Sequence, residues 1–515
     1  MKSLKSSKYQ VASNKTVSVL KKFLSQTAIY GISTVVSRLF NFILTPIYTK
    51  VYAKSVYGVF TNMYANASLI NAVLAFGMES TYFRYLNKHE NKKQEVYNNS
   101  FFCIAFISTL FLITGLIFSN SIASYLSSNA KEIPDYKQYV SFFLWILFID
   151  AICIIPFAKL RADERAMRYS IAKFLNIGCF VGFNLIFIFV IPAILKNNWI
   201  GADWLSSWYR HQWIGYVFFS NLIASLVTFV FLLPEFLKLQ FKFDGPLFKT
   251  MFSYSWPILI ANLSFIVNEN LDKIVLKHLL PVEIADGEVG IYGAVCKIAI
   301  FLSIFITAFR LGAEPFFFSY AKNENAKKTY AIILHYFVIA LTLIFVGLIA
   351  NIDILKHFIS GDKSQIAEYW VGLPAVPFLL FGYVCLGIYM NLSVWYRLSD
   401  QTRFGLYISL VGAIITIVLN LMLIPKYSYM GSAWVSMTAY FVMMVLSYVL
   451  GQKYYPIPYN LKRIFIYLVV STVIVFSSFF LFDRNIYIGN AMLIVFLAGI
   501  AYFERDDLMR ILKRN

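Results

Sequence analysis

Runs of about 20 apolar residues recur along the whole chain, separated by short polar stretches. A helix of that length crosses the hydrocarbon of a bilayer, since 20 residues rise about 30 Å. Charged residues make up 14% of the 515, where a soluble domain carries about 25%. The reading is an all-α, polytopic membrane protein with about 14 transmembrane helices. They are expected at 23–47, 56–78, 96–119, 138–159, 170–194, 213–234, 250–272, 290–312, 329–350, 371–395, 403–424, 429–450, 461–482 and 487–503. No stretch between them is long enough for a separate soluble domain.

Charge then orients the chain. The net charge is +19, which taken alone suggests nucleic acid. Placed on the topology, roughly 30 Lys and Arg fall on one side and roughly 12 on the other. The clusters Arg84/Lys88/Lys92/Lys93, Lys159/Arg161/Arg165/Arg168, Lys322/Lys327/Lys328 and Arg505/Arg510/Lys513/Arg514 all share a side. The positive-inside effect accounts for this bias, with both termini cytoplasmic and no nucleic-acid partner. Residues 1–22, rich in Lys and Ser, are expected as an uncleaved cytoplasmic tail, and 504–515 as a second one.

The five cysteines (Cys103, Cys153, Cys179, Cys296, Cys385) all sit in apolar runs and read as small buried side chains. The five histidines show no metal-ligand spacing, so no metal or cofactor is implied. Nothing resembles a GxxxxGK[ST] phosphate loop, a DxD pair or a catalytic His/Cys/acid cluster, so no enzyme activity is expected.

An internal echo divides the chain. Tyr57-Gly58, Ser68, Gly77, Glu79, Phe83 and Tyr85 match Tyr292-Gly293, Ser303, Gly312, Glu314, Phe318 and Tyr320. The offset is constant at 235, from 58 to 293 and from 79 to 314. Six helices lie between the copies, so they run in the same direction, as parallel repeats do. This predicts two six-helix lobes, 23–234 and 250–450, joined by a linker at 235–249, with two extra helices in 451–503.

Polar stripes mark the opening helix of each lobe. Gln26, Tyr30, Ser33/Thr34, Ser37/Arg38, Asn41, Thr45 and Tyr48 recur in threes and fours and share one face. In the second half, Ser255, Asn262, Glu269, Asp272 and Lys273 do the same. Such a face must meet protein or water rather than lipid. The expectation is a hydrated, cationic cavity between the lobes, with Arg38, Lys297, Arg310, Asn41 and Asn262 as substrate-binding candidates. Arg38 costs about 2.5–3.5 kcal/mol to place near mid-membrane. A guanidinium suits phosphate oxygens, and the competing role is a structural pair with Glu269 or Asp150. For Arg310 and Arg84, near helix ends, the competing role is snorkelling to the interface.

Glu269, Asp272 and Asp150 are the candidates for ion coupling, through a bound Na+ or a proton. For Glu269 and Asp272 the alternatives are an ion pair with Lys273 and an interfacial position. Trp199, Trp204, Trp208 and Trp213 read as an outer aromatic belt, with a sugar-binding surface as the sharper alternative.

Three segments carry a family resemblance. Asp272-Lys273-Ile274-Val275-Leu276, Val289-Gly290-Ile291-Tyr292-Gly293, Ala308-Phe309-Arg310 and Glu314-Pro315-Phe316-Phe317-Phe318 form the first. Val56-Tyr57-Gly58, Phe76-Gly77-Met78-Glu79 and Arg84-Tyr85 form the second. Asn420-Leu421-Met422-Leu423-Ile424-Pro425-Lys426-Tyr427 with Gly431-Ser432-Ala433-Trp434 form the third. Together they resemble the polysaccharide exporters, the Wzx-type O-antigen and capsule repeat-unit flippases of the multidrug/oligosaccharidyl-lipid/polysaccharide exporter superfamily. Ser432 stands where a second alanine is frequent. The resemblance implies a carrier in the bacterial inner membrane that moves undecaprenyl-pyrophosphate-linked oligosaccharide outward. It also implies a polysaccharide polymerase and a chain-length regulator as partners. It leaves the glycan open. Lipid II flippase, drug/cation antiporter and, from a different class, polysaccharide polymerase or ligase remain alternatives.

Overall fold

The structure is a computed structural model that describes residues 42–321, 323–399 and 401–505. Most of the expected first helix, including Arg38 and Asn41, lies outside the described residues. The longer helices after it are α1 (Lys54–Ala75), α2 (Met78–Lys88), α3 (Lys93–Ile117), α4 (Ile133–Ala162), α5 (Ala166–Leu185) and α6 (Gly215–Phe236). They continue as α7 (Gly245–Leu279), α8 (Val282–Tyr320), α9 (Ala326–Ala350), α10 (Val376–Leu392), α11 (Arg403–Tyr454), α12 (Leu461–Phe476) and α13 (Ile486–Phe503). Among the described residues, twelve helical stretches are long and apolar enough to cross a membrane.

One of the twelve contains two expected helices. At 52 residues, α11 would rise about 78 Å if straight, more than twice a bilayer core. Ser428 breaks it with φ 50° and ψ −138°. The chain folds back there, so that the Ser432 hydroxyl donates to Asn420 Oδ1 at 3.1 Å. A Cβ on Gly431 would crowd the Leu423 backbone, which suits the close return. The expected helices 403–424 and 429–450 are the two arms, and Ser432 holds them together where alanine would not.

The described residues form two compact units, Leu74–Trp256 with Phe42, and Ile43–Val73 with 257–505. This partition differs from the expected lobes, because Ile43–Val73 belongs to the second unit. The chain passes between units within α7, at Trp256–Pro257.

In the first unit, α6 packs against both α4 and α5, and α3 packs against α4. Phe143, Phe218 and Tyr139 fill the interior. The expected linker is stitched to the start of α3. Asn98 and Asn99 donate to the carbonyls of Lys242 and Asp244 at 3.2 and 2.8 Å, and Gln94 donates to Lys238 O at 2.9 Å. Asp244 caps α7 by accepting from Leu247 N at 3.0 Å, and pairs with Lys92 at 2.7 Å.

In the second unit, α10 lies on α11 and α8, and α9 packs against α12 and α13. The echoing motifs meet here. A Cβ at Gly58 of α1 would overlap the Asp286 carbonyl, and one at Gly290 of α8 would overlap the Lys54 carbonyl. Only glycine allows this backbone approach, the small-residue contact by which membrane helices pack. Tyr57 and Tyr292, the tyrosines of the two copies, are fully buried. The copies diverge at their far ends. Phe76 and Gly77, with φ 48° and 65°, break α1 from α2, whereas α8 runs unbroken to Tyr320.

Candidate functional site

In the second unit, charged residues gather where α7 meets α8 and both arms of α11. Asn268, Glu269, Asp272 and Lys273 fall on successive turns of α7. Asp272 is 3% exposed, and both of its oxygens are engaged. Oδ1 accepts from Lys273 Nζ at 2.9 Å and from the Lys273 backbone N–H at 2.8 Å. Oδ2 accepts from the Tyr292 hydroxyl of α8 at 2.7 Å. Lys273 Nζ also donates to the Glu269 carbonyl at 2.7 Å and lies 5.6 Å from the Tyr292 ring centroid. Asn62 of α1 donates to Lys273 O at 3.1 Å. A buried pair with its remaining valences filled is the stable form of intramembrane charge. Of the alternatives for Asp272, the structure shows the ion pair with Lys273.

Glu269 differs. Among the described residues its carboxylate makes no hydrogen bond or ion pair within bonding distance, yet it is within electrostatic reach of Lys273, Lys297 and the Tyr440 hydroxyl. Lys297 stands one turn beyond Gly293 on α8 and is partly buried. Its field is shared with Glu269, Lys273 and Cys296. Asn268, the neighbour of Glu269 in sequence, sits in a network of amide and hydroxyl groups. Asn268 donates to Ser409 O at 3.3 Å and accepts from Thr416 Oγ1 at 2.8 Å, and the Tyr440 hydroxyl donates to Asn268 O at 3.4 Å. Among the described residues, the cluster therefore holds one satisfied ion pair beside a second carboxylate and a second ammonium, Glu269 and Lys297.

The remaining sequence candidates lie apart. Asn262 is exposed, two turns before Glu269 on α7. Arg310 is farther along α8 than Lys297 by about 20 Å of helix rise, and shares a small cavity with Asn391 and Arg397. Asp150 belongs to the first unit, facing Lys173 of α5 and Ser225 of α6. Asn176 of α5 donates to Thr228 of α6 at 2.9 Å beside them. Arg84 lies over the Tyr254 ring at 4.2 Å. In the Trp-rich loop, Trp199, Trp204 and Trp208 are exposed, while Trp213 packs under Arg210, whose Nη2 donates to both oxygens of Asp135 at 2.7 and 2.9 Å.

Two groups escaped the sequence reading. Tyr292 was visible only as part of a motif, and nothing in the spacing shows that its hydroxyl faces Asp272. The other is Glu504, 1% exposed, which accepts from Tyr467 at 2.6 Å and Arg463 at 3.1 Å and lies 3.0 Å from His335. It ties α12 to α9, and an acid among the charged residues after the last helix gives no signal of that.

The fold has known counterparts. The lipid II flippase MurJ, in an inward closed conformation, superposes with a TM-score of 0.69 at 15% identity, over 93% of this chain and all of that one. An inward-facing multidrug resistance MATE family transporter of the MOP superfamily matches with a TM-score of 0.59 at 14% identity, over 84% and 95%. A MOP superfamily transporter from Pyrococcus furiosus gives a TM-score of 0.54 at 14% identity, over 84% and 95%. In sequence, the uncharacterized membrane protein MJ1068 of Methanocaldococcus jannaschii is 22% identical over 457 residues, 85% of this chain and 84% of that one. The MatE family matches residues 257–422, which include all of the cluster on α7, α8 and α11 except Asn62 and Tyr440. The family described as polysaccharide biosynthesis protein matches residues 23–320, more than half of the chain, and the protein belongs to that family.

Proposed function

We propose that the protein carries undecaprenyl-pyrophosphate-linked oligosaccharide from the cytoplasmic to the outer face of the bacterial inner membrane, for surface polysaccharide such as O-antigen or capsule. The observation that carries this reading is the cluster of Glu269, Lys297 and their polar neighbours, set in membrane helices of a polysaccharide biosynthesis family member. The cargo has a greasy tail, an anionic pyrophosphate and polar sugars. Its headgroup cannot cross hydrocarbon without shelter. Lys297, an ammonium with three donors and no acceptor, suits phosphate oxygens. Arg38 and Asn41 are proposed partners of the same headgroup, joined by Asn262 and Arg310 as it moves. The amides and hydroxyls beside Glu269 would keep sugar hydroxyls hydrogen-bonded.

Glu269 is the coupling group in this proposal. A carboxylate one turn from an ammonium can exchange a proton or Na+ for the cargo, and Asp150 offers a second such site in the first unit. Asp272 holds the helices in register instead. Alternating exposure of the headgroup site to the two faces follows, with both termini cytoplasmic. A polymerase and a chain-length regulator would take the product on the outer side.

The test is complementation in a strain that needs the protein for surface glycan. Lys297→Ala should abolish surface glycan at normal protein level, and Lys297→Arg should restore part of it. Arg38→Ala should also abolish it, and unchanged glycan would remove Arg38 from the mechanism. The fold shared with a lipid II flippase supports a second reading. In that case loss of the protein would block wall synthesis rather than surface glycan alone.

A further inference from the structure

We propose that the start of α5 and the end of α6 form a binding site for an anionic phospholipid, with its phosphate on Arg165, Arg168 and Lys238 and one acyl chain along α5. The leaflet is the one on the basic side of the membrane, cytoplasmic under the orientation proposed above. This lipid is not the cargo, so its binding is measured apart from transport. The site lies entirely within the first unit.

Charge selects the headgroup. Glu235 of α6 is fully buried, and three cations converge on it. Lys238 Nζ donates to it at 2.6 Å, Arg165 Nη1 donates at 3.3 Å, and Arg168 Nη1 lies at 3.3 Å. One cation neutralises one carboxylate, so three against one leave a surplus of two. Among the described residues, none of the three meets a second acid. Asp163, in the turn before α5, lies 3.9 Å from Lys159 instead. The three side chains are 31–45% exposed, so donors that Glu235 does not use reach the surface. Phosphate oxygens suit the guanidinium fork. The N-terminus of α5 opens at Arg165 without a side-chain cap, and its dipole favours an anion at the same place.

The apolar surface selects a lipid over a free phosphate. Met167, Ile171, Phe174 and Gly178 recur in threes and fours on α5 and are exposed, next to Arg168. From Phe174 an open groove of about 280 Å³ runs over Gly178 and Gly182 to Ile186. A Cβ at either glycine would meet no described atom within 4 Å. From Arg168 to Gly178 the helix rises about 15 Å, half of a hydrocarbon core of about 30 Å. A phosphate on Arg168 therefore sets its chain along the groove within one leaflet. A sugar phosphate or nucleotide would lay polar groups against this wall without partners, which is costly.

The test uses the purified full-length protein in detergent. It is titrated with phosphatidylglycerol, phosphatidylcholine or inorganic phosphate, and read by native mass spectrometry and by the unfolding temperature. Phosphatidylglycerol should bind, and raise the unfolding temperature, at about tenfold lower concentration than phosphatidylcholine, as two surplus charges imply. Inorganic phosphate should not replace it. Arg165→Gln should weaken phosphatidylglycerol binding by about tenfold, as loss of a hydrogen bond to a charged group does, with Glu235 still held by Arg168 and Lys238. Gly178→Leu fills the groove at unchanged charge and should weaken binding as well. Equal binding of the two lipids, or inorganic phosphate acting as strongly as phosphatidylglycerol, would overturn the proposal. Phosphatidylglycerol binding left unchanged by either variant would overturn it too. Where Arg165→Gln does not fold, Gly178→Leu and the three ligands decide.

Discussion

Asp272 and Glu269 are one turn apart on one helix, yet the surrounding groups give them opposite characters. Asp272 is closed on all sides by Lys273, the Tyr292 hydroxyl and a backbone N–H. Removing one partner of such a buried pair leaves an uncompensated charge, at a cost of about 3–5 kcal/mol. Asp272→Asn should therefore lower thermal stability sharply, read as the temperature at which monodisperse protein is lost. Tyr292→Phe should cost less, about 1.5–3 kcal/mol, because only one charged hydrogen bond disappears. Glu269→Gln should leave stability nearly unchanged but remove the dependence of transport on a proton or Na+ gradient. Equal losses of stability in Asp272→Asn and Glu269→Gln would refute this division of roles. The sequence placed both acids on one polar face of α7, since threes and fours are legible. It did not separate them, because the separating group is a hydroxyl contributed by α8.

At the level of elements, the apolar runs fixed where helices are, and the fold-back at Ser428 falls between two expected spans. The partners of those helices were not legible. Periodicity says which face of α1 is polar, but not that α1 packs in the second unit through Gly58 and Gly290. Gly58→Leu should block that approach and reduce the yield of folded protein several-fold, measured by size-exclusion chromatography, while a leucine at Gly178, where nothing lies nearby, should be tolerated. The linker gives a pH-dependent expectation. The Lys92 ammonium beside Asp244, with the Leu247 N–H, holds its carboxyl below the usual range. A depressed folded pKa contributes stability that is present above the unfolded value and lost as pH falls through the folded one. Asp244→Asn should thus remove part of the acid-side loss of linker order, read as hydrogen exchange at residues 240–248. Exchange rates with the same acid dependence in the variant would contradict this.

At the level of the whole molecule, the chain is a polytopic helical member of a polysaccharide biosynthesis family, and carriage of amphipathic cargo is the role we propose for it. The order and spacing of three short segments were enough to suggest that family from sequence, because glycine approaches and paired charges leave residue types that few other roles need. The specificity was not legible, since sugars are read by side chains whose neighbours only the fold supplies. The most direct measurement is transbilayer movement in liposomes containing the purified protein and a labelled undecaprenyl-pyrophosphate oligosaccharide. The expected result is movement that needs the protein, collapses with Lys297→Ala at unchanged incorporation, and partly returns with Lys297→Arg. Movement at an equal rate with Lys297→Ala, or none with the unaltered protein under any imposed proton or Na+ gradient, would contradict it.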